Sequence, residues 1–180
     1  MRGLFTLGLL ITGLSAGVVP GAAQSSGWSR VGSTTTGPVT VVYLVRHAEK
    51  LDDSKDPPLN DAGTARAALL ARTLADAGIT HIWSTDLKRT RLTAKPLAEK
   101  LGVTVSTYDP AKLSELAVRL QTTPGRHLVV GHSNTTPELV LALGGDPGGA
   151  IQDTEYDRFY VVVLAPGGPA TVQLRLGQTP

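Results

Sequence analysis

Two hydrophobic periods alternate along most of this chain. Val39 to Val45 (VTVVYLV) is almost continuously apolar and rich in β-branched residues, which predicts a buried strand. Asn60 to Ala77 is rich in Ala, Leu and Arg, with Ala65, Leu69 and Leu70 at helical spacing and Gly78 as a stop. Thr80 to Trp83 predicts a short second strand. Asp86 to Leu101 carries Leu87, Leu92, Leu97 and Leu101, which predicts a helix closed by Gly102, with Pro96 as a point of kinking. Val103 to Ser106 and His127 to Val130 read as strands, and Ala111 to Leu120 as a helix between them. Thr135 to Leu143 reads as a fourth helix, with Asn134 or Thr135 as its cap and Pro137 in its first turn. Arg158 to Leu164 and Thr171 to Leu176 flank a Pro166-Gly167-Gly168-Pro169 turn. Strands alternating with helices predict an α/β fold: a three-layer α/β/α sandwich around a mainly parallel sheet of about six strands.

The first 38 residues do not share this alternation. Arg2 gives a short positive region, Leu4 to Val19 is mostly apolar, and Pro20-Gly21-Ala22-Ala23 supplies small residues. This is the pattern of a secretory signal peptide over residues 1–23. Its apolar stretch of about 16 residues is short for a spanning helix, which needs roughly 20. Residues 24–38, rich in Ser, Thr and Gly, read as a flexible tether. The folded domain is expected over residues 39–176, in a protein exported to the periplasm or the exterior, with no stable membrane association once the signal is cleaved.

Composition narrows the chemistry. The 180 residues suit one domain with a real core. The absence of cysteine removes disulfides, thiolate nucleophiles and thiolate-bound metals. Losing Arg2 with the signal takes Lys+Arg from 17 to 16 against 15 Asp+Glu, a net of +1. Binding to a nucleic-acid backbone needs many cations on one face, so no nucleic-acid partner is expected. No HExxH pattern supports zinc, and no GxxxxGK[ST] supports a nucleotide-binding P-loop. Neither a metal nor a cofactor is expected.

Three strand-to-helix junctions fall on one edge of the predicted sheet, where open α/β sheets collect their ligands. The first offers Arg46, His47, Glu49 and Lys50; the second Ser84, Thr85, Asp86 and Arg89; the third His132, Ser133 and Asn134. Guanidinium groups bind phosphate oxygens bidentately, and a helix N-terminus adds backbone donors. A neutral imidazole can attack phosphorus while nearby cations stabilise the developing charge. His81, inside a strand, and His127, at the start of one, read as structural or exposed. Arg91 reads as a solvated helix position.

Leu44 to Lys50 (LVRHAEK), Ser84 to Ala94 (STDLKRTRLTA) and Val129 to Thr135 (VVGHSNT) together resemble the histidine phosphatase superfamily, the phosphoglycerate mutase-like proteins. Pro57 to Gly63 (PPLNDAG) fits as well, through a Leu-x-x-x-Gly that opens the first helix in that family. The resemblance runs over about Val39 to Leu176. It implies that His47 is a nucleophile that becomes phosphorylated, and that Arg46, Arg89 and His132 clamp the phosphoryl group, with Ser133 and Asn134 beside them in the substrate site. Many members place a glutamate after the third strand as proton donor. Here that region holds Asp109, which follows the third strand and is the candidate donor; Glu49, Asp52, Asp53, Asp56 and Glu115 are the other carboxylates in question. Only about ten residues separate His47 from the first helix, so the enclosing segments of mutases are missing. The domain resembles the compact branch that includes phosphohistidine phosphatases.

The expected function is therefore an exported, metal-independent phosphatase that hydrolyses phosphate monoesters through a phosphohistidine on His47. Its substrate is expected to be a small phosphorylated molecule or a phosphorylated envelope component. The alternative is a non-catalytic phosphate- or phosphoglycan-binding module on the same fold.

Overall fold

Residues 39–177 are described by the structure, a computed structural model; the expected signal peptide and tether lie outside the described residues. The elements are β1 (Thr40–Arg46), α1 (Asp61–Leu74), β2 (His81–Ser84), α2 (Lys88–Leu101), β3 (Val105–Thr107), α3 (Leu113–Thr122), β4 (Arg126–Gly131), α4 (Thr135–Ala142), β5 (Arg158–Ala165) and β6 (Gly168–Arg175). The strands form one sheet in the order β3-β2-β4-β1-β5-β6. The first four are parallel, while β5 runs antiparallel to β1 and β6 antiparallel to β5.

The pleat of β1 and β4 divides the core between the two faces. Val42, Leu44 and Val129 pack with Leu116 and Leu120 of α3 and with Leu139 and Val140 of α4. Val45, Leu128 and Val130 pack with Leu70 and Leu74 of α1 and with Ala94 and Leu97 of α2. The sheet is thus covered on both faces, which is the expected sandwich. Burial on both faces explains why β1 and β4 read as unbroken apolar runs rather than alternating ones.

The boundaries move for local reasons. Helix α1 starts at Asp61 because the Asn60 side chain caps it, accepting from the Gly63 amide at 2.8 Å. It stops at Leu74, three residues short of the expectation, and the chain turns before Gly78, whose φ is 67°. Helix α2 starts at Lys88 rather than Asp86, because Leu87 is extended and the Asp56 carboxylate accepts from the Lys88 amide at 2.8 Å. It runs through Pro96 as a single helix. The order places β1 centrally, with β4 beside it and β2 beyond, so the carboxyl ends of all three lie together on one edge.

Candidate active site

His47 follows the last residue of β1, and its backbone amide donates to the Gly131 carbonyl of β4 at 2.9 Å. That bond ties the first and third junctions together. The His47 side chain is 4 % exposed, and its Nδ1 lies 2.8 Å from the Ala48 carbonyl. A carbonyl can only accept, so Nδ1 carries the proton and Nε2 keeps its lone pair. Burial, with further push from Arg46, His132 and Arg89, lowers the His47 pKa to about 3, against the bond to Ala48, which raises it. The ring is neutral at pH 7.

The third junction supplies His132, whose ring centroid is 5.4 Å from that of His47. Its Nε2 lies 3.0 Å from Thr85 Oγ1, and its backbone amide donates to Thr135 Oγ1 at 3.0 Å. Burial, then Arg89 and Arg46, lowers its pKa to about 4. Gly131 makes this approach feasible: a Cβ there would stand 2.9 Å from Thr136 Oγ1 and 3.0 Å from Tyr108 Oη. Gly63 explains the Leu-x-x-x-Gly motif in the same way, since a Cβ would meet the Glu49 carbonyl oxygen at 2.2 Å. The first turn of α1 packs directly against the segment that follows His47.

Arg46 is held from below. Its Nη1 donates to the carbonyls of Gln152, Asp153 and Glu155 at 2.8, 2.9 and 3.0 Å, and its guanidinium lies 4.2 Å from the centre of the Tyr156 ring. Glu155 is fixed in turn by Arg158 at 2.6 Å and Arg175 at 2.5 Å. This support was not expected from sequence. It follows from the fold: β5 runs antiparallel to β1, so the residues just before it lie on the same edge as the ends of β1 and β4.

These groups line one cavity of about 300 Å³, formed by Arg46, His47, Lys50, Ser54, Lys55, Pro57, Arg89, His132, Ser133 and Asn134. All the expected phosphate-site residues are therefore brought together. Arg91 instead pairs with Asp86 at 2.9 Å on the surface. Ser54, Lys55 and Pro57 were missed as lining residues because the loop that carries them reads as merely polar.

The structure places Asp109 apart from His47. Its carboxylate accepts from the Ala111 amide at 2.9 Å, and it lines a separate cavity with Tyr108, Lys112, Glu115 and Arg119. The reason is strand order: β3 is three strand spacings from β1, roughly 14 Å at ~4.8 Å per spacing. The other candidate acids are engaged elsewhere. Glu49 is buried and bonded to Arg66 at 2.6 to 3.0 Å. Asp52 accepts from the Ser54 amide, Asp53 pairs with Lys50, and Asp56 caps α2. No carboxylate lines the His47 cavity. Among the described residues, no group of three or more His, Asp or Glu side chains is placed to hold a metal ion.

The model of the histidine phosphatase superfamily (branch 1) matches residues 42–118, a span that includes His47 and Arg89. Over that span the chain is similar to the histidine phosphatase superfamily. A probable phosphoglycerate mutase GpmB of Yersinia pestis (strain Pestoides F) is 44% identical over 82 residues, which is 42% of this chain and 37% of that relative. The chain thus matches well under half the length of that curated relative. Among solved structures, the protein histidine phosphatase SixA complexed with tungstate superposes with a TM-score of 0.63 at 20% identity, over 75% of this chain and 96% of that one. A putative phosphohistidine phosphatase SixA from Agrobacterium tumefaciens gives a TM-score of 0.55 at 26% identity, over 68% and 90% of the two chains. These likenesses show a shared fold.

Proposed function

We propose that this protein is a phosphatase that hydrolyses phosphate monoesters through a phosphohistidine on His47. One observation carries the reading: a buried, neutral imidazole with Nδ1 committed to a carbonyl, and Nε2 left free beside two guanidinium groups. The lone pair on Nε2 attacks phosphorus and the P–O bond to the leaving group breaks. Arg46, Arg89 and His132 hold the charge that spreads over the phosphoryl oxygens, so the step needs no metal. Water then attacks the phosphorus, the P–N bond breaks, and phosphate leaves with the imidazole restored. A dianionic phosphoryl group beside His132 favours its protonated form, which turns that ring into a donor.

With no carboxylate in the cavity, the reading favours leaving groups that depart without help from an acid. The substrate is a small phosphate ester or a phosphorylated envelope component. Export rests on the residue pattern of positions 1–23, and cell fractionation tests it. Turnover of an aryl phosphate in excess EDTA, compared between wild type and His47→Ala, tests the chemistry. Wild-type turnover abolished in the variant supports the reading, and equal turnover contradicts it.

The missing carboxylate also favours a second reading, a module that binds phosphate or a phosphoglycan without turning it over. Hydrolysis of even one ester across a broad panel eliminates it. Mutase activity is disfavoured by the short segment between His47 and α1, which leaves little to enclose an intermediate during reloading.

A further inference from the structure

The loop between Lys50 and Leu59 is built asymmetrically. Its ends are joined by a Lys50–Leu59 bridge and by the Leu51 amide donating to the Pro58 carbonyl at 2.9 Å. It contains three acids and is flanked or occupied by two lysines, so its summed charge is slightly negative. The acids are not among the lining residues: Asp52 accepts from the Ser54 amide, Asp53 pairs with Lys50, and Asp56 accepts from the Lys88 amide at the start of α2. Both lysines line the cavity, together with Ser54. No ion pair among the described residues engages Lys55. The cavity thus has a phosphoryl-binding floor of Arg46, His47, Arg89 and His132 and a second cationic zone on its rim. At about 300 Å³ it is the size of a small-molecule site, and a phosphoryl group on the floor leaves most of it open.

We propose that Lys55, with Lys50 and Ser54, forms a subsite for a second anionic group, so that the natural substrate carries a carboxylate or a second phosphate on its leaving group. The proposal rests on the floor being the phosphoryl site, as argued above. A rim that only attracted phosphate would gain from any cation, wherever it pointed. Here Asp52 and Asp56 are bonded to backbone amides and Asp53 to Lys50, which leaves Lys55 as the uncompensated cation next to the floor. An anion held there also fixes the orientation of the leaving group over His47.

The test compares two non-hydrolysable probes of matched shape, 4-carboxyphenylphosphonate and 4-carbamoylphenylphosphonate, by calorimetric titration of the full chain. 1,4-Benzenediphosphonate serves as a third arm, to separate a carboxylate preference from a phosphate preference. Binding does not depend on turnover, so loss of the phosphatase reading and loss of the subsite are separately visible. We expect the carboxylate to bind about tenfold tighter than the carboxamide, a preference that shrinks with added salt. Lys55→Ala should cut that ratio to about twofold and Lys55→Glu should abolish or invert it, with Lys50→Gln giving a smaller loss. Three results overturn the proposal: a wild-type ratio near one for both anionic probes, a preference untouched by Lys55→Glu, or no binding of any probe at millimolar concentration.

Discussion

The protein holds four histidines, in two pairs that sit at opposite strand ends of the sheet. His81 and His127 lie near the amino ends of β2 and β4, stacked at 4.6 Å with Trp83 alongside. His47 and His132 lie just past the carboxyl ends of β1 and β4, beside two arginines. Burial does not distinguish the pairs: His127 is fully buried and His47 is 4 % exposed. A lowered pKa does not either, since burial lowers that of His127 as it does that of His47. What differs is the second nitrogen. Trp83 Nε1 donates to His127 Nδ1 at 3.1 Å, and His127 Nε2 then donates to the Thr123 carbonyl at 3.0 Å. Both nitrogens of His127 are engaged by its own protein, whereas Nε2 of His47 is left for a ligand. A buried histidine becomes a candidate nucleophile through the atom it leaves free and the cations around it.

The largest effect should separate these two histidines. His47→Ala should lower kcat/KM for an aryl phosphate by at least about 1,000-fold with an unchanged melting temperature. His127→Gln should do the reverse, keeping kcat/KM within about threefold while the melting temperature drops by roughly 5 °C, because two buried hydrogen bonds are disturbed. A catalytic collapse in His127→Gln with no thermal shift would break the comparison.

The arginines sharpen it next. Arg89→Ala should cost about 10- to 100-fold in kcat/KM, the value of one or two charge-assisted bonds to the phosphoryl group. Arg91→Ala, which loses only an exposed pair with Asp86, should stay within about twofold. Steady-state kinetics on both variants decides whether the register of α2 is right.

The pH profile gives a smaller and more graded effect. An ordinary histidine near 6.5 would become protonated, and lose its nucleophilicity, as pH falls from 7 to 5. The His47 pKa is lowered to about 3, so its neutral form persists through that range and fails only near pH 3. Corrected for ionisation of the substrate, kcat/KM should show no His47 limb between pH 7 and 5. A limb near pH 6.5 would place His47 in a wetter setting than the one described.

The smallest effect concerns Asp109. Because it lines a different cavity, Asp109→Asn should change neither alkyl nor nitrophenyl phosphate turnover by more than about twofold. A selective loss on alkyl phosphates would show that β3 and its loop move toward His47 during turnover.

These residues also show what the sequence could reveal. The order of strands and helices was legible because each element is amphipathic or buried at its own period. Arg46, His47 and His132 were legible because apolar runs end directly on them, and Arg89 because it falls one turn into the next helix. The distance of Asp109 from His47 was not legible, because sequence shows that a residue follows a strand, but not how many strands away that strand lies. The support of Arg46 by the carbonyls of residues 152–155 was hidden for a related reason. The direction of β5 is set by pairing with β1, a long-range choice with no local mark. Lys55 was hidden because the facing of loop side chains depends on which acids bond the backbone.

The most direct test of the account is to trap the intermediate. Wild-type protein mixed with an aryl phosphate, quenched in alkali within a turnover and digested, should yield an acid-labile, alkali-stable phosphoryl group on the peptide that contains His47, bonded through Nε2. The label should appear and decay at rates compatible with steady-state turnover, and it should be absent in His47→Ala. Sustained turnover by the wild type with the His47 peptide unlabelled, or labelling at a different residue, would contradict the central claim.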